Sequence, residues 1–205
     1  APSEMCIRDS PCEVACNRAD LDGAVSIHSV ERYLGDLAIE KGWTFTRPTE
    51  PSGHRVLVIG AGPAGLSAAY HLAMLGHDVE IHDAGDKVGG MMRYGIPEYR
   101  LPREILDAEV ARLTDLGIKI VLNHPVNDLM EEKAKGRFDA VFVAIGAHLS
   151  KRVDIPTVDA SRMVDAVSFL HNVAAGEKPL IGRRVAVYGG GNTAMDLSLI
   201  HISER

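Results

Sequence analysis

Apolar residues recur at helical spacing near the start of the chain, then give way to short continuous apolar runs. In residues 19 to 40 (ADLDGAVSIHSVERYLGDLAIE), Val30, Tyr33, Leu34 and Leu37 fall at i, i+3, i+4 and i+7 on one helical face. A small helical lobe is predicted there. KGWTFTRPTEPSGHR follows, with prolines, glycines and no period, and it reads as a linker. From Arg55 the run VLVIG has the character of a strand covered on both faces in a parallel sheet. A helix is expected over Ala64 to Leu75, closed by Gly76, and a strand over Asp78 to His82. After a loop rich in glycine and proline, Pro102 stands at an expected first helical position. REILDAEVARLTDLG then puts Leu106, Val110 and Leu113 on one face and stops at Gly117. Strand IKIVL, a short polar helix and strand AVFVAIG come next; residues 161 to 175 read as an amphipathic helix that leads to a further strand, VAVYG. Strands alternating with helices predict an α/β fold with a parallel sheet. The expected divisions are a helical lobe over 1–45, a linker over 46–54, an α/β domain over 55–155, a helix and connection over 156–182, and the opening of a second domain over 183–205.

Composition narrows the function classes. The chain has 205 residues, 46% hydrophobic and 24% charged, with a formal net charge of −6. That is an ordinary globular composition with no basic stripe, so nucleic acid is not expected as a partner. No apolar run approaches the roughly 18 residues that span a bilayer, and no signal-peptide order opens the chain. A cytoplasmic protein with no membrane partner is expected. The three cysteines, all within the first sixteen residues, are too few for a secreted disulfide framework and point instead to metal.

The strongest chemical signal is VLVIGAGPAGLSAAYHLAMLGHDVEIHD. Gly60 permits the sharp turn out of the strand, Gly62 removes the side chain that would block a pyrophosphate, and Gly65 lets the helix pack on the sheet. The phosphates would meet the helix N-terminus, whose free N–H groups and dipole favour an anion. Asp83, at the end of the second strand, is placed to accept ribose hydroxyls. Strand, turn, helix, strand and acid occur in order, so a Rossmann-like dinucleotide domain is predicted. Gly89 and Gly90 offer a second close backbone approach that nicotinamide domains do not usually need, which favours FAD. Ala144, Ile145 and Gly146 form a small-residue turn that would bring bare backbone toward the same nucleotide.

The run from GAGPAGLSAAYHLAMLGHDVEIHD through YGIPEYRLP to LGIKI resembles the glutamate synthase small subunit and its relatives, which include the N-terminal part of dihydropyrimidine dehydrogenase. YGIPEYRLP is the most discriminating piece, and the similarity spans about Cys12 to Asp196. The resemblance implies an electron-entry module: NAD(P)H passes a hydride to FAD, and electrons leave through iron–sulfur clusters to a partner redox subunit or domain. Carried over position by position, it implies FAD contacts at Gly60, Gly62, Pro63, Ala64, Gly65, Asp83, Gly90, Arg100, Val126 and Gly146. Gly89 joins them as the neighbour of Gly90. Arg100 would reach the flavin nucleotide, and Val126 would meet the adenine through its backbone.

The same family inserts a second nucleotide domain, for NADP or NAD, into the FAD domain. In VAVYGGGNTAMD, Gly189, Gly191 and Ala194 match its GxGxxA turn, with Asn192 and Thr193 between them. The residue that separates the two nucleotides is expected beyond residue 205, as is a return segment that completes the flavin pocket. The chain is thus expected to be a fragment. Both ends depart from the family, and the DNA GAGATGTGTATAAGAGACAG reads EMCIRDS while its reverse complement reads LSLIHIS. Both ends are therefore expected to be foreign sequence, such as a library adaptor.

PCEVACNRADLDGAVSI resembles the cysteine lobe of the family, whose thiolates hold [4Fe–4S] clusters, with Cys12 and Cys16 as candidate ligands. A cluster needs four ligands. Cys6 is the only other cysteine, so a cluster is expected of the full-length parent, and free thiols of this chain alone. The nine histidines show no HExxH or paired metal spacing, and His77 and His82, flanking a strand, read as solvated or core residues. No cysteine pair follows the flavin turn, so a redox dithiol is not expected. Met91 and Met92 read as core. No catalytic acid or base is assigned, because the cofactor carries hydride transfer. An electron-transfer flavoprotein of the glutamate synthase small subunit kind is the expected function, with a truncated FAD-binding module lacking turnover, or the electron-input subunit of a formate, pyrimidine or ferredoxin system, as the alternatives.

Overall fold

The computed structural model describes residues 11–47, 50–148, 163–177 and 179–203. Cys6, EMCIRDS and residues 161–162 of the expected helix lie outside them. The chain divides into two compact units, Thr44–Ile181 and a unit made of Ala1–Trp43 with Gly182–Arg205.

The larger unit is built on a four-stranded parallel sheet of β1 (Arg55–Ile59), β2 (Asp78–His82), β3 (Lys119–Val121) and β4 (Ala140–Val143), in spatial order β3-β2-β1-β4. Central β1 pairs in register with both neighbours, Val58 opposite Ile81 on one side and Phe142 on the other. Its apolar run is continuous because both faces are covered. Val58 packs with Leu66, Ala69, Ala73, Val79, Ile81, Leu116 and Ile118 on one face, and Leu57 and Ile59 pack with Phe138 on the other.

Before β1, the predicted linker is tied to the sheet's unit. Arg47 donates to the carbonyls of Leu116 and His77, and Phe45 packs edge-on against Tyr70. Helix α3 (Pro63–Met74) opens with proline at its first position, where the missing N–H costs nothing. Its buried Gly65, Ala69 and Ala73 are spaced four apart, so small residues face the sheet and the helix lies close to it. It ends in a Schellman motif: Gly76 N–H donates to Ala73 O, His77 N–H to Leu72 O, and Gly76 takes φ +83°.

The short α4 (Met91–Tyr94) and α5 (Arg103–Thr114) follow. Pro102 is the residue before α5 and not its first turn, with ψ 137°. Helix α6 (Leu129–Gly136) is capped by the Asp128 carboxylate, which accepts from Met130 N and Glu131 N. Helix α7 covers Ala166–Ala174 and not the whole of 161–175, because the Asp165 carboxylate accepts from Ser168 N and sets the start there.

In the smaller unit, α1 (Pro11–Val14) and a 3-10 turn (Asn17–Asp20) precede α2 (Ile27–Glu40), and α8 covers Asn192–Ser203. Glu13 accepts from His28 N at the start of α2. The predicted apolar face of α2 is largely uncovered: Val30, Tyr33 and Leu34 are exposed, and Ala38 is the buried residue. VAVYG does not form the predicted strand. A parallel strand needs neighbours to satisfy its N–H and C=O groups, and among the described residues none pairs with it; Tyr188 is 75% exposed. Among the described residues, no helix is long and apolar enough to cross a membrane.

Candidate dinucleotide-binding site

The glycine turn between β1 and α3 separates two kinds of glycine. At Gly60, with φ +107°, a Cβ would sit 2.3 Å from Ala144 O, so the turn after β4 presses against the turn after β1. At Gly65 a Cβ would lie 1.8 Å from Gly60 O and 3.3 Å from Val58 Cγ1. Both positions are required by the protein's own packing. Gly62 differs. Its backbone is extended (φ −80°, ψ −177°), and a Cβ there would meet only Gly90 Cα, at 3.9 Å. Among the described residues nothing demands glycine at position 62, and the bare backbone leaves that surface open.

That surface lies at the start of α3. The first N–H groups of a helix have no intrahelical partner, and here they belong to Gly62, Ala64 and Gly65, since Pro63 has none. Pro63 and Ala64 are exposed. The Gly89–Gly90 pair closes over the turn: Gly89 N donates to Ala61 O, and a Cβ on Gly90 (φ +52°) would lie 2.8 Å from Gly62 Cα. Two lengths of bare backbone therefore meet beside one helix N-terminus, an arrangement that admits a pyrophosphate.

Asp83 follows directly on β2. Its Oδ2 accepts from Ala61 N at 2.5 Å and its Oδ1 from Gly85 N at 2.6 Å, which fixes the carboxylate against the glycine turn. A carboxylate has about four acceptor positions, so both oxygens retain capacity for hydroxyls. The loop after β3 is stitched to the same place, with Asn123 N donating to Gly85 O and His124 N to Asp83 O. Val126, two residues on, packs its side chain against the cluster of Leu57, Ile59 and Phe138.

The structure thus brings Gly60, Gly62, Pro63, Ala64, Gly65, Asp83, Gly89 and Gly90 together, with Ala144 touching Gly60 and Gly146 (φ +69°) two residues beyond. Arg100 lies in the turn after Pro97, its guanidinium 5.9 Å from the Tyr99 ring centroid. Met92 packs on the core beneath α3, while Met91 is partly exposed. Gly189, Gly191, Asn192, Thr193 and Ala194 belong to the other unit, at the start of α8. There a Cβ on Gly189 would lie 3.6 Å from Ala194 Cβ, an ordinary contact that alanine at the third position accommodates. Cys12 is exposed and Cys16 half-buried, and both are free thiols. Hydrogen bonds from the backbone of Val25 and then Arg18 hold the Cys16 thiol below its ordinary value, favouring thiolate.

Sequence reasoning missed the arginines that hold the loop between β2 and α5. Buried Arg93 donates through Nε to Val88 O and pairs with Asp107. Arg103 donates to the carbonyls of Met92 and Ile96; burial, reinforced by the nearby Arg93 charge, pushes its guanidinium below its ordinary value. Tyr94 donates to Asp86 and stacks on His171 at 4.6 Å. No spacing in MMRYGIPEYRLPR distinguishes buried Arg93 and half-buried Arg103 from an exposed arginine.

Residues 54–203 match the pyridine nucleotide-disulphide oxidoreductase family. The chain belongs to that family. Among its relatives, the NADP(+)-dependent formate dehydrogenase subunit beta of Moorella thermoacetica is 39% identical across 91% of this chain and 30% of its own length. The glutamate synthase [NADPH] small chain of Escherichia coli is 36% identical across 94% of this chain and 43% of its own. The NAD-dependent dihydropyrimidine dehydrogenase subunit PreT of Escherichia coli is 34% identical across 96% and 48%. The expected resemblance to the glutamate synthase and dihydropyrimidine dehydrogenase group therefore stands, and the chain spans less than half the length of these relatives. Among solved structures, FprA of Mycobacterium tuberculosis in complex with NADPH shares the fold at TM-score 0.51 and 20% identity, covering 60% of this chain and 29% of its own. The α/β fold of a pyridine nucleotide-disulphide oxidoreductase domain, a parallel sheet with helices, is thereby shown.

Proposed function

We propose that this chain is the flavin-binding portion of an electron-entry oxidoreductase, holding FAD in the crevice at the β1–α3 turn and receiving a hydride from NADPH or NADH. The observation that carries the proposal is the contrast between Gly65, which packing requires, and Gly62, which packing leaves open beside a helix N-terminus and the Asp83 carboxylate. Bound FAD would supply the hydride acceptance and the release of electrons one at a time.

The chain's own residues bind and orient it. The N–H groups of Gly62, Ala64 and Gly65 receive the paired phosphates, and Pro63 fixes the helix start without adding a donor. Asp83 accepts the ribose hydroxyls while its bonds to Ala61 N and Gly85 N hold it in place. Gly90 lays bare backbone against Gly62, and Gly89, whose missing side chain makes room for Leu106 and Arg93, holds it there; Arg93 and Arg103 brace the loop that carries them. Arg100 reaches the flavin nucleotide, the backbone of Val126 faces the adenine, and Gly146 closes the far side. Gly189, Gly191, Asn192, Thr193 and Ala194 form the corresponding turn for the nicotinamide nucleotide. No side chain is assigned a proton-transfer role, because hydride transfer requires only distance and orientation from the protein.

In this reading the chain is part of a longer protein in which residues 55–155 are the FAD domain, 1–45 a cysteine lobe joined by 46–54, and 183–205 the opening of the nicotinamide domain after the connection 156–182. Cys12 and Cys16 supply two of the four thiolates of a [4Fe–4S] cluster in that longer protein, and the electrons pass to a partner redox subunit or domain. The relatives' names include formate, pyrimidine and glutamate systems, and the final acceptor is one of that class. The protein is assigned to the cytoplasm.

A second reading is a flavin-binding module without turnover, favoured by the absence of strand pairing at VAVYG among the described residues. Anaerobic titration of the FAD-loaded chain separates the two. Bleaching of the flavin absorption by NADPH or NADH supports electron entry, whereas flavin that is bound and stays yellow supports the module. Failure to take up FAD defeats both.

A further inference from the structure

We propose that His82, His124 and Glu132 form a binding site for one divalent transition-metal ion of the zinc class. His82 ends β2, His124 lies in the loop after β3, and Glu132 is in the first turn of α6, so three segments converge on the face of the sheet occupied by Phe138. Their candidate ligand atoms lie within 4.8 Å of one another.

The decisive atom is His82 Nδ1. His82 is only 5% exposed, and Nδ1 has no hydrogen-bond partner. Glu132 Oε1 is 3.2 Å from it but off the line that a hydrogen bond needs. The other ring nitrogen, Nε2, lies 2.9 Å from Glu80 Oε1. A carboxylate only accepts, so Nε2 carries the proton and donates, and Nδ1 presents a lone pair. Arg55 contacts the second oxygen of Glu80 and holds that carboxylate in place. A carboxylate that orients a histidine through its far nitrogen is the usual outer support of a histidine metal ligand.

The two separations from Glu132 Oε1 suit a metal. With bonds of about 2.05 Å, the 3.2 Å separation from His82 Nδ1 to Glu132 Oε1 gives an angle of about 103° at the ion. His124 Nε2 is hydrogen-bonded to the same oxygen at 3.0 Å; an ion replacing that bond at this separation would subtend about 94°, against a tetrahedral value of about 109°. Two imidazoles and one carboxylate leave a fourth position for water and match zinc better than calcium or magnesium, which favour all-oxygen sets. His124, whose side chain is 33% exposed, opens the site to solvent. The ion would tie α6 and the β3 loop to the end of β2, directly behind Asp83, whose carbonyl already accepts from His124 N.

The test uses the full chain, stripped of metal, with Cys6, Cys12 and Cys16 changed to serine so that thiolates cannot compete. Cobalt(II) is titrated first and zinc(II) is then added to displace it. One equivalent of cobalt with the visible absorption of a four-coordinate ion is expected, and His124→Gln and Glu132→Gln should each weaken binding by at least about 100-fold. Imidazole NMR of the same cysteine-free chain provides a measurement that needs no change at the site itself: zinc should shift the ring signals of His82 and His124. Absence of stoichiometric binding, binding unchanged in both variants, or zinc shifts confined to other histidines would overturn the site. The readout contains no flavin, so its failure and that of the FAD reading are separately visible.

Discussion

Replacing Gly62 by alanine separates what the fold needs from what a ligand needs. Its backbone angles are open to any residue, and the added methyl would have only Gly90 Cα within 4 Å, at 3.9 Å. Two small terms act on the free protein. Alanine reduces the freedom of the unfolded chain, stabilising by about 0.4–1 kcal/mol. As the residue preceding the first turn of α3 it is a poorer cap than glycine, costing up to about 1 kcal/mol. They nearly cancel, so the melting temperature of the flavin-free chain should move by no more than about 2 °C. On the proposed reading ligand binding behaves differently, because the methyl would project onto the surface assigned to the phosphates. At FAD equal to 100 times its dissociation constant, binding stabilises the parent chain by about 2.7 kcal/mol, or about 8 °C at this size. Thermal melts with and without FAD are the assay. Gly62→Ala should melt like the parent alone and gain less than about 2 °C from the same FAD concentration. An equal FAD-induced gain in both proteins would refute the assignment of position 62 to the phosphates.

Gly65→Ala should do the reverse, costing about 3 kcal/mol or more even without ligand, because its methyl would be driven into Gly60 O; chemical denaturation reads this directly. Arg93→Ala should lower stability by about 1.5–3 kcal/mol through loss of a buried charged donor to Val88 O and Asp107, again read by denaturation, and should loosen the loop carrying Gly90. The Tyr94 hydroxyl is pushed up to about 12, first by burial and then by Asp86. Because its folded value lies above its ordinary 10, its contribution to stability is complete below pH 10 and is lost as the pH rises through about 12. Ultraviolet titration of the five tyrosines should show one late component that disappears in Tyr94→Phe. In the same variant, the Asp86 carboxyl, held below its ordinary value chiefly by the Tyr94 hydroxyl, should titrate higher.

Where a pattern was local and repeated, it was enough to place an element. VLVIG became β1 because a strand buried on both faces has no polar positions to interrupt it, and DVEIH became β2 at the expected residues. GAGPAG placed the turn because the strand, turn and helix it punctuates are contiguous in sequence, although of its glycines only Gly65 answers to near neighbours, Gly60 and Val58, while Gly60 answers to distant Ala144. Patterns whose meaning depends on distant partners were harder to read. The apolar face of α2 looks like a core face in sequence, yet Tyr33 is 65% exposed, since periodicity states which residues share a side and not what covers it. VAVYG has strand composition, but pairing requires neighbours that composition cannot supply. His82, read as a core or solvated residue, is buried as a core residue would be, but its meeting with His124 and Glu132 is created by the parallel register of β2 and β3 and the capped start of α6. Arg93 was invisible for a related reason: burial of a single charge depends on Val88 O and Asp107 arriving from two other segments.

The most direct measurement is an amide NMR titration of the chain with FAD. The backbone signals of Gly62, Ala64 and Gly65, together with Gly90, should shift first and saturate at one equivalent, ahead of any signal outside the turn. Saturable FAD binding that leaves those four amides in place, or no saturable binding at all, would contradict the assignment of the β1–α3 crevice to a flavin dinucleotide.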